Sequence, residues 1–205
     1  MRQALFLLLF IPNFLLAQVN LNQGLVAYYP FSGNANDASG NNNNPVFNNA
    51  TLAADRLGNP NSAYSFNGVD NYIRIPNSPS LNPTNQISIC AWVKVAGFYQ
   101  GKCHGNNIVM KGDADYLQGN YMIRFDDNIY TSMQNCATSI PDVNHENFFG
   151  INSYSASSFG GYTPFIQPGE WYSVVYTCDG TTAKLYVNCQ LRTSGPASGV
   201  TFTNS

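Results

Sequence analysis

EWYSVVYTCDGTTAKLYVN, Glu170 to Asn188, holds the clearest hairpin in the chain: Trp171 to Cys178, the turn Asp179-Gly180, then Ala183 to Gln190. Asp-Gly is one of the few dipeptides whose backbone takes up a tight turn between antiparallel strands without strain. Two apolar, β-branched and aromatic runs around it read as paired strands. Outward from that hairpin the same grammar repeats. ISICAWVKV, Ile87 to Val95, is of strand length and strand composition. Asn107 to Lys111 and Tyr121 to Phe125 alternate apolar with polar residues, as half-buried strands do. Ala63 to Phe66 and Tyr72 to Ile75 are short strands around the turn Asn67-Gly68-Val69-Asp70, and GLVAYYPF, Gly24 to Phe31, is the first strand candidate.

Between these runs lie loops. Gly33 to Asn49 carries Asn at 34, 36, 41, 42, 43, 44, 48 and 49, a density that no helix or central strand tolerates. Cys136 to Pro168 is long, polar and without a clear element, which marks a functional or mobile loop. No amphipathic helix, heptad or internal repeat is present. Many short strands spaced by turns, with nothing helical between them, predict an all-β fold: a two-sheet antiparallel β-sandwich or jelly roll.

The 205 residues suit one such domain, and 44% hydrophobic residues supply a sizeable core. Only 10% of residues are charged, and a net charge of -2 with 9 Lys+Arg leaves no basic field for nucleic acid or an anionic lipid surface. Arg2, the apolar stretch Ala4 to Leu16 and the small residue Ala17 read as a secretory signal peptide over 1–17, too short and too interrupted to span a membrane. The expected domain is therefore 18–205, in a secreted protein found outside the cell or on its outer surface. Export permits disulfides. Of 5 cysteines, Cys103 and Cys136 both sit in polar loop-like sequence and are the expected pair. Cys178 and Cys189 stand too far apart along the hairpin ladder to be bridged.

Five segments, in order, resemble the laminin-G-like jelly-roll domains of the concanavalin A-like class found in secreted bacterial surface proteins. They are GLVAYYPFSGNANDASGN (Gly24 to Asn41), LGNPNSAYSFNGVDNYIRIPNSPSL (Leu57 to Leu81), ISICAWVK (Ile87 to Lys94), IVMKGD (Ile108 to Asp113) and the hairpin segment itself. The resemblance implies a domain that continues into a closing strand beyond Ser205, within a larger multidomain surface protein. It also implies a Gly after Asn188, where this chain has Cys189.

Candidate chemistry follows from the loops and strands. Glycoside hydrolysis needs two placed carboxylates. The chain has two Glu, Glu146 and Glu170, in different segments, and the adjacent Asp126 and Asp127 would point to opposite faces of a strand. Asp37, Asn41 and Asn43 in the first loop, with Asp70 in the later turn, form an oxygen-rich set suited to Ca²⁺, which the resemblance also implies at a sandwich rim. The alternative is that Asp37 and Asp70 hydrogen-bond their own turns. Asp113, Asp115, Tyr116, Tyr121 and Arg124, clustered around a strand pair, are the expected ligand-binding set, with Tyr154, Phe159 and Tyr162 in the long loop. Trp92 and Trp171 are expected in the core. The expected function is a non-catalytic module for polysaccharide or glycoprotein glycan. The alternatives are a structural or adhesive spacer, and a glycoside hydrolase.

Overall fold

The computed structural model describes residues 20–97, 106–111, 121–125, 148–153, 156–162 and 167–197. The expected signal peptide and the expected Cys103–Cys136 pair lie outside them. The described strands are β1 (Phe47–Asn48), β2 (Thr51–Ala53), β3 (Ala63–Ser65), β4 (Ile73–Arg74), β5 (Ile87–Lys94), β6 (Asn106–Lys111), β7 (Tyr121–Phe125), β8 (Phe148–Ser153), β9 (Ala156–Tyr162), β10 (Trp171–Cys178), β11 (Thr182–Val187) and β12 (Gln190–Pro196). One 3₁₀ turn, Pro79–Leu81, is the only helical element among the described residues. The expectation of an all-β antiparallel sandwich holds.

The principal sheet runs β12-β11-β10-β5, antiparallel throughout. Its inner face follows from strand alternation. Val174, Tyr176 and Cys178 on β10 are buried, and so are Ala183, Leu185 and Val187 on β11. Register sets these residues side by side, Val174 opposite Val187, Tyr176 opposite Leu185 and Cys178 opposite Ala183. Ile87, Ile89 and Val93 of β5 extend the layer. Tyr121 and Ile123 of β7 press on it from the facing layer, where the β6–β7 and β8–β9 hairpins lie side by side.

The turns confirm the hairpin reading. Asp179 N–H donates to Thr182 O at 3.2 Å, and its carboxylate accepts from the N–H groups of Thr181 and Thr182 and from the Thr181 hydroxyl. The Thr182 N–H, then the two Thr181 donors, hold the Asp179 carboxyl at about 2. Gly180 has φ 91°, and a Cβ there would lie 2.8 Å from the Asn85 amide, so both backbone and space demand glycine. Cys178 and Cys189 are both free, at opposite ends of β11.

The next turn breaks that rule. Asn188 and Cys189, between β11 and β12, both have positive φ, 49° and 62°. This is the left-handed pair that Asn-Gly satisfies without strain and that a side chain at the second position strains. Cys189→Gly is therefore expected to raise stability by about 1 kcal/mol, read as a higher urea midpoint at unchanged slope. An unchanged or lower midpoint would show that the turn carries no strain at Cys189.

Three expectations are corrected. GLVAYYPF forms no strand; its backbone is satisfied by the side chains of the loop that follows it. Ser39 Oγ and Asn43 Nδ2 donate to Val26 O, Asn41 Nδ2 donates to Leu25 O, and Tyr28 N–H donates to Asp37. β3 and β4 flank the Asn67–Asp70 turn but pair elsewhere, β3 with β2 and β4 with β1. The stretch 136–168 contains β8 and β9, whose Gly and Ser content hides the strand pattern.

Candidate functional site

The first loop is organised around two polar side chains. Asp37 Oδ1 accepts from the N–H groups of Tyr28 (2.9 Å) and Ser39 (2.8 Å), while Oδ2 accepts from Asn43 N–H (2.9 Å) and the Ser39 hydroxyl (2.9 Å). Partial burial opposes its ionisation, but these four donors together outweigh burial and hold the carboxyl below its ordinary pKa. Asn43, 3% exposed, donates from Nδ2 to Val26 O and Ser80 Oγ and accepts from the Ser78 hydroxyl. Tyr29, whose phenol is pushed up to about 12 by burial and by Asp37 and Tyr121, donates to Asn43 O at 2.7 Å.

A calcium ion would need the oxygens that these donors already occupy. Four positive donor ends converge on Asp37, and a cation cannot share their positions. Asn41 and Asn43 turn their amide nitrogens to Leu25 O and Val26 O. Asp70 bonds Asn67 and Asn71 within its own turn. The residues do not fit the ion; of the two readings of these Asx residues, turn-holding is the one the geometry supports. Among the described residues no three His, Cys, Asp or Glu side chains gather where a metal could be held.

The expected ligand set is only partly placed. Asp113, Asp115, Tyr116 and Tyr154 lie outside the described residues. Arg124 sits on β7 opposite Asn107. Phe159 and Tyr162 belong to β9. Tyr121 is corrected: its ring is buried in the core and its hydroxyl donates to Leu81 O, so it offers no exposed face to a sugar. Lys111, its pKa lowered by burial, reaches over the Tyr121 ring and donates to Asn82 Oδ1.

The aromatic surface lies elsewhere, on the outer face of the principal sheet. On β5 the outward positions are Ser88, Cys90, Trp92 and Lys94. On β10 they are Trp171, Ser173, Val175 and Thr177, and on β11 Thr182, Lys184 and Tyr186. Register joins them into rows: Lys94 beside Trp171, Trp92 beside Ser173, then Cys90–Val175–Tyr186–Leu191, then Ser88–Thr177–Lys184–Ser194. Both tryptophans of the chain are therefore on this face, not in the core as the sequence suggests. Trp92 is 52% exposed although the Arg56 guanidinium lies 4.3 Å from its ring centroid. The Lys94 ammonium stands 5.3 Å from the centroid of Trp171. An indole costs solvation when left in water, and a cation over its face holds it in one orientation.

A two-layer antiparallel sandwich, apolar between its sheets and aromatic on one outer face, defines a lectin-like β-sandwich. The chain belongs to the concanavalin A-like lectin/glucanases superfamily, whose family model matches residues 66–205. Two solved structures share the fold. Domain 4 of AbnA, a GH43 extracellular arabinanase from Geobacillus stearothermophilus, solved in complex with arabinotriose, has a TM-score of 0.55 at 20% identity, over 88% of this chain and 79% of that one. The binding domain of Paraclostridial Mosquitocidal Protein 1 has a TM-score of 0.61 at 15% identity, over 90% of this chain and 43% of that one. No curated protein matches the sequence. Among the described residues no helix is long and apolar enough to cross a membrane.

Proposed function

We propose that this chain is a non-catalytic carbohydrate-binding module that works outside the cell, within a larger surface protein, and takes sugar rings on Trp92 and Trp171. The observation that carries the reading is the outward placement of both indoles, each beside a cation, with Ser173 opposite Trp92 and two residues from Trp171 on the same face. Sugar rings present C–H faces and hydroxyl edges, which suit an aromatic surface ringed by polar groups. The two solved neighbours support it as domains, one holding arabinotriose and the other a binding domain. β5, β10, β11 and β12 contain no Asp or Glu, so the face lacks the paired carboxylates of a glycosidase.

Trp92→Ala tests the site. Trp92 lies outside the core, so the variant is expected to fold with the wild-type melting temperature. Its affinity for the best glycan on an array is expected to fall by about tenfold or more, as for loss of an aromatic anchor. Wild-type affinity in the variant would move the site off this face. An array and an arabinotriose titration without saturable binding to the wild-type chain would end the carbohydrate reading, and sugar release from a polysaccharide would end the non-catalytic one.

A further inference from the structure

We infer that the outer face of the β12-β11-β10-β5 sheet selects an acidic polysaccharide, with sugar rings on the indoles and carboxylates or sulfates at Arg56, Lys94 and Lys184. The inference rests on the carbohydrate-binding reading above and adds the chemical class of the ligand. It stands on an asymmetry of charge. The whole chain is acidic, 11 Asp and Glu against 9 Lys and Arg. Yet the four strands of this sheet carry Lys94, Lys184 and Arg192 and no carboxylate. Strand propensity does not produce this bias, because Lys and Glu are both disfavoured in strands.

The positions make the charge usable. Lys94 and Lys184 occupy outward positions at opposite ends of the rows, with Trp171, Trp92 and Tyr186 between them. Arg56 adds a third cation from the β2–β3 connection, over the Trp92 ring. Three carboxylates border the face: Glu170 precedes Trp171 in the chain, and the charges of Asp55 and Asp179 act on Arg56 and Lys184. Asp55, beside Arg56, accepts from Leu57 N–H, Asn59 N–H and Asn59 Nδ2, and Asp179, which feels Lys184, is held by Thr181 and Thr182. Among the described residues, none of the three cations forms an ion pair with a carboxylate. Arg56 and Lys94 lie against indole rings, and Lys184 stands six register positions and two strands from Lys94, so the face offers separated positive points to an extended polyanion. A neutral glycan would meet them through hydroxyls alone, without the charge-assisted bonds an anionic group makes.

The test uses the full chain, titrated calorimetrically with polygalacturonate, with the same polymer methyl-esterified, with a sulfated galactan and with neutral arabinan. Expected is saturable binding to at least one polyanion, at least about tenfold weaker to the esterified polymer and arabinan, and weakening about tenfold from about 50 mM to about 500 mM NaCl. The two polyanions separate carboxylate from sulfate recognition. Lys94→Glu/Lys184→Glu is expected to abolish polyanion binding, and Lys94→Gln/Lys184→Gln to weaken it several-fold. Arg74→Glu, on β4, serves as the off-face control and is expected to leave binding unchanged. Equal affinity for the esterified and free polymers, or an unaffected Gln double variant, overturns the inference. Binding to arabinan that Trp92→Ala abolishes would overturn it while leaving the carbohydrate reading in place, and so would no binding to either polyanion; the carbohydrate reading itself falls only with the array and the arabinotriose titration.

Discussion

Leu185→Ala is expected to cost the protein about 3 kcal/mol or more, seen as a lower urea midpoint at unchanged slope. Leu185 is 1% exposed, stands opposite Tyr176 in register and belongs to the cluster formed with Val174, Val187 and Ile123. The facing layer is already seated on this side chain, so truncation loses its transfer free energy and leaves a cavity that the sheet cannot collapse into. Leu191→Ala is the matched control. Leu191 lies one strand away on β12, 53% exposed, opposite Tyr186, and its loss is expected to cost under about 1 kcal/mol. The pair examines more than packing. A one-residue slip in β11 would exchange the two faces of the strand, bringing Tyr186 and Lys184 into the core. Equal losses from the two variants would mean that the faces are wrongly assigned, and the aromatic surface would go with them.

That face is legible in the sequence, although the size of the indoles points the other way. In ISICAWVK, Ile87, Ile89, Ala91 and Val93 occupy one parity, and Ser88, Cys90, Trp92 and Lys94 the other. Ser and Lys mark their parity as the solvent side, and Trp92 shares it. Trp171 shares its parity with Ser173 and Thr177 in the same way. Size and hydrophobicity argued for burial; period-2 alternation argued for exposure and prevailed, because the sheet can bury only one of its faces. The strands β5, β7 and β10 were readable to within a residue, since apolar periodicity and turn chemistry agree there. The N-terminal GLVAYYPF has the apolar content of a strand, yet its hydrogen bonds go to Asn, Ser and Asp side chains that follow it. Such side-chain partners compete with a ladder and leave no periodic trace. β8 and β9 leave no strand pattern for the converse reason, since Gly150, Gly160 and Gly161 interrupt it although the backbone pairs. The order of the short strands, β3 to β2 and β4 to β1, is long-range information that turn residues alone do not carry.

Removal of the Asp37 carboxylate should loosen the loop that stands in for the first strand. Asp37→Ala is expected to lower stability by about 2 kcal/mol, since it strips the acceptor from the N–H groups of Tyr28, Ser39 and Asn43 and from the Ser39 hydroxyl. Water can reach this partly exposed site and replace some of those bonds, which keeps the loss at the low end for a charged acceptor. The effect has a pH signature with a definite sign. The folded carboxyl ionises below its unfolded counterpart. Its contribution is therefore complete above about pH 4, where the unfolded carboxyl is ionised, and is lost as pH falls through the folded value. Urea midpoints of wild type and Asp37→Ala should thus differ at pH 7 and converge on acidification, and Asp37→Asn should share the flattened profile of the alanine variant. Calcium gives the opposing outcome. If the loop were an ion site, millimolar Ca²⁺ would raise the melting temperature by mass action and EDTA would lower it. With four donors already on the Asp37 oxygens, neither is expected to move it. A calcium-dependent shift that disappears in Asp37→Ala would show that the ion displaces those donors, and that the loop closes on a cation instead of on its own backbone.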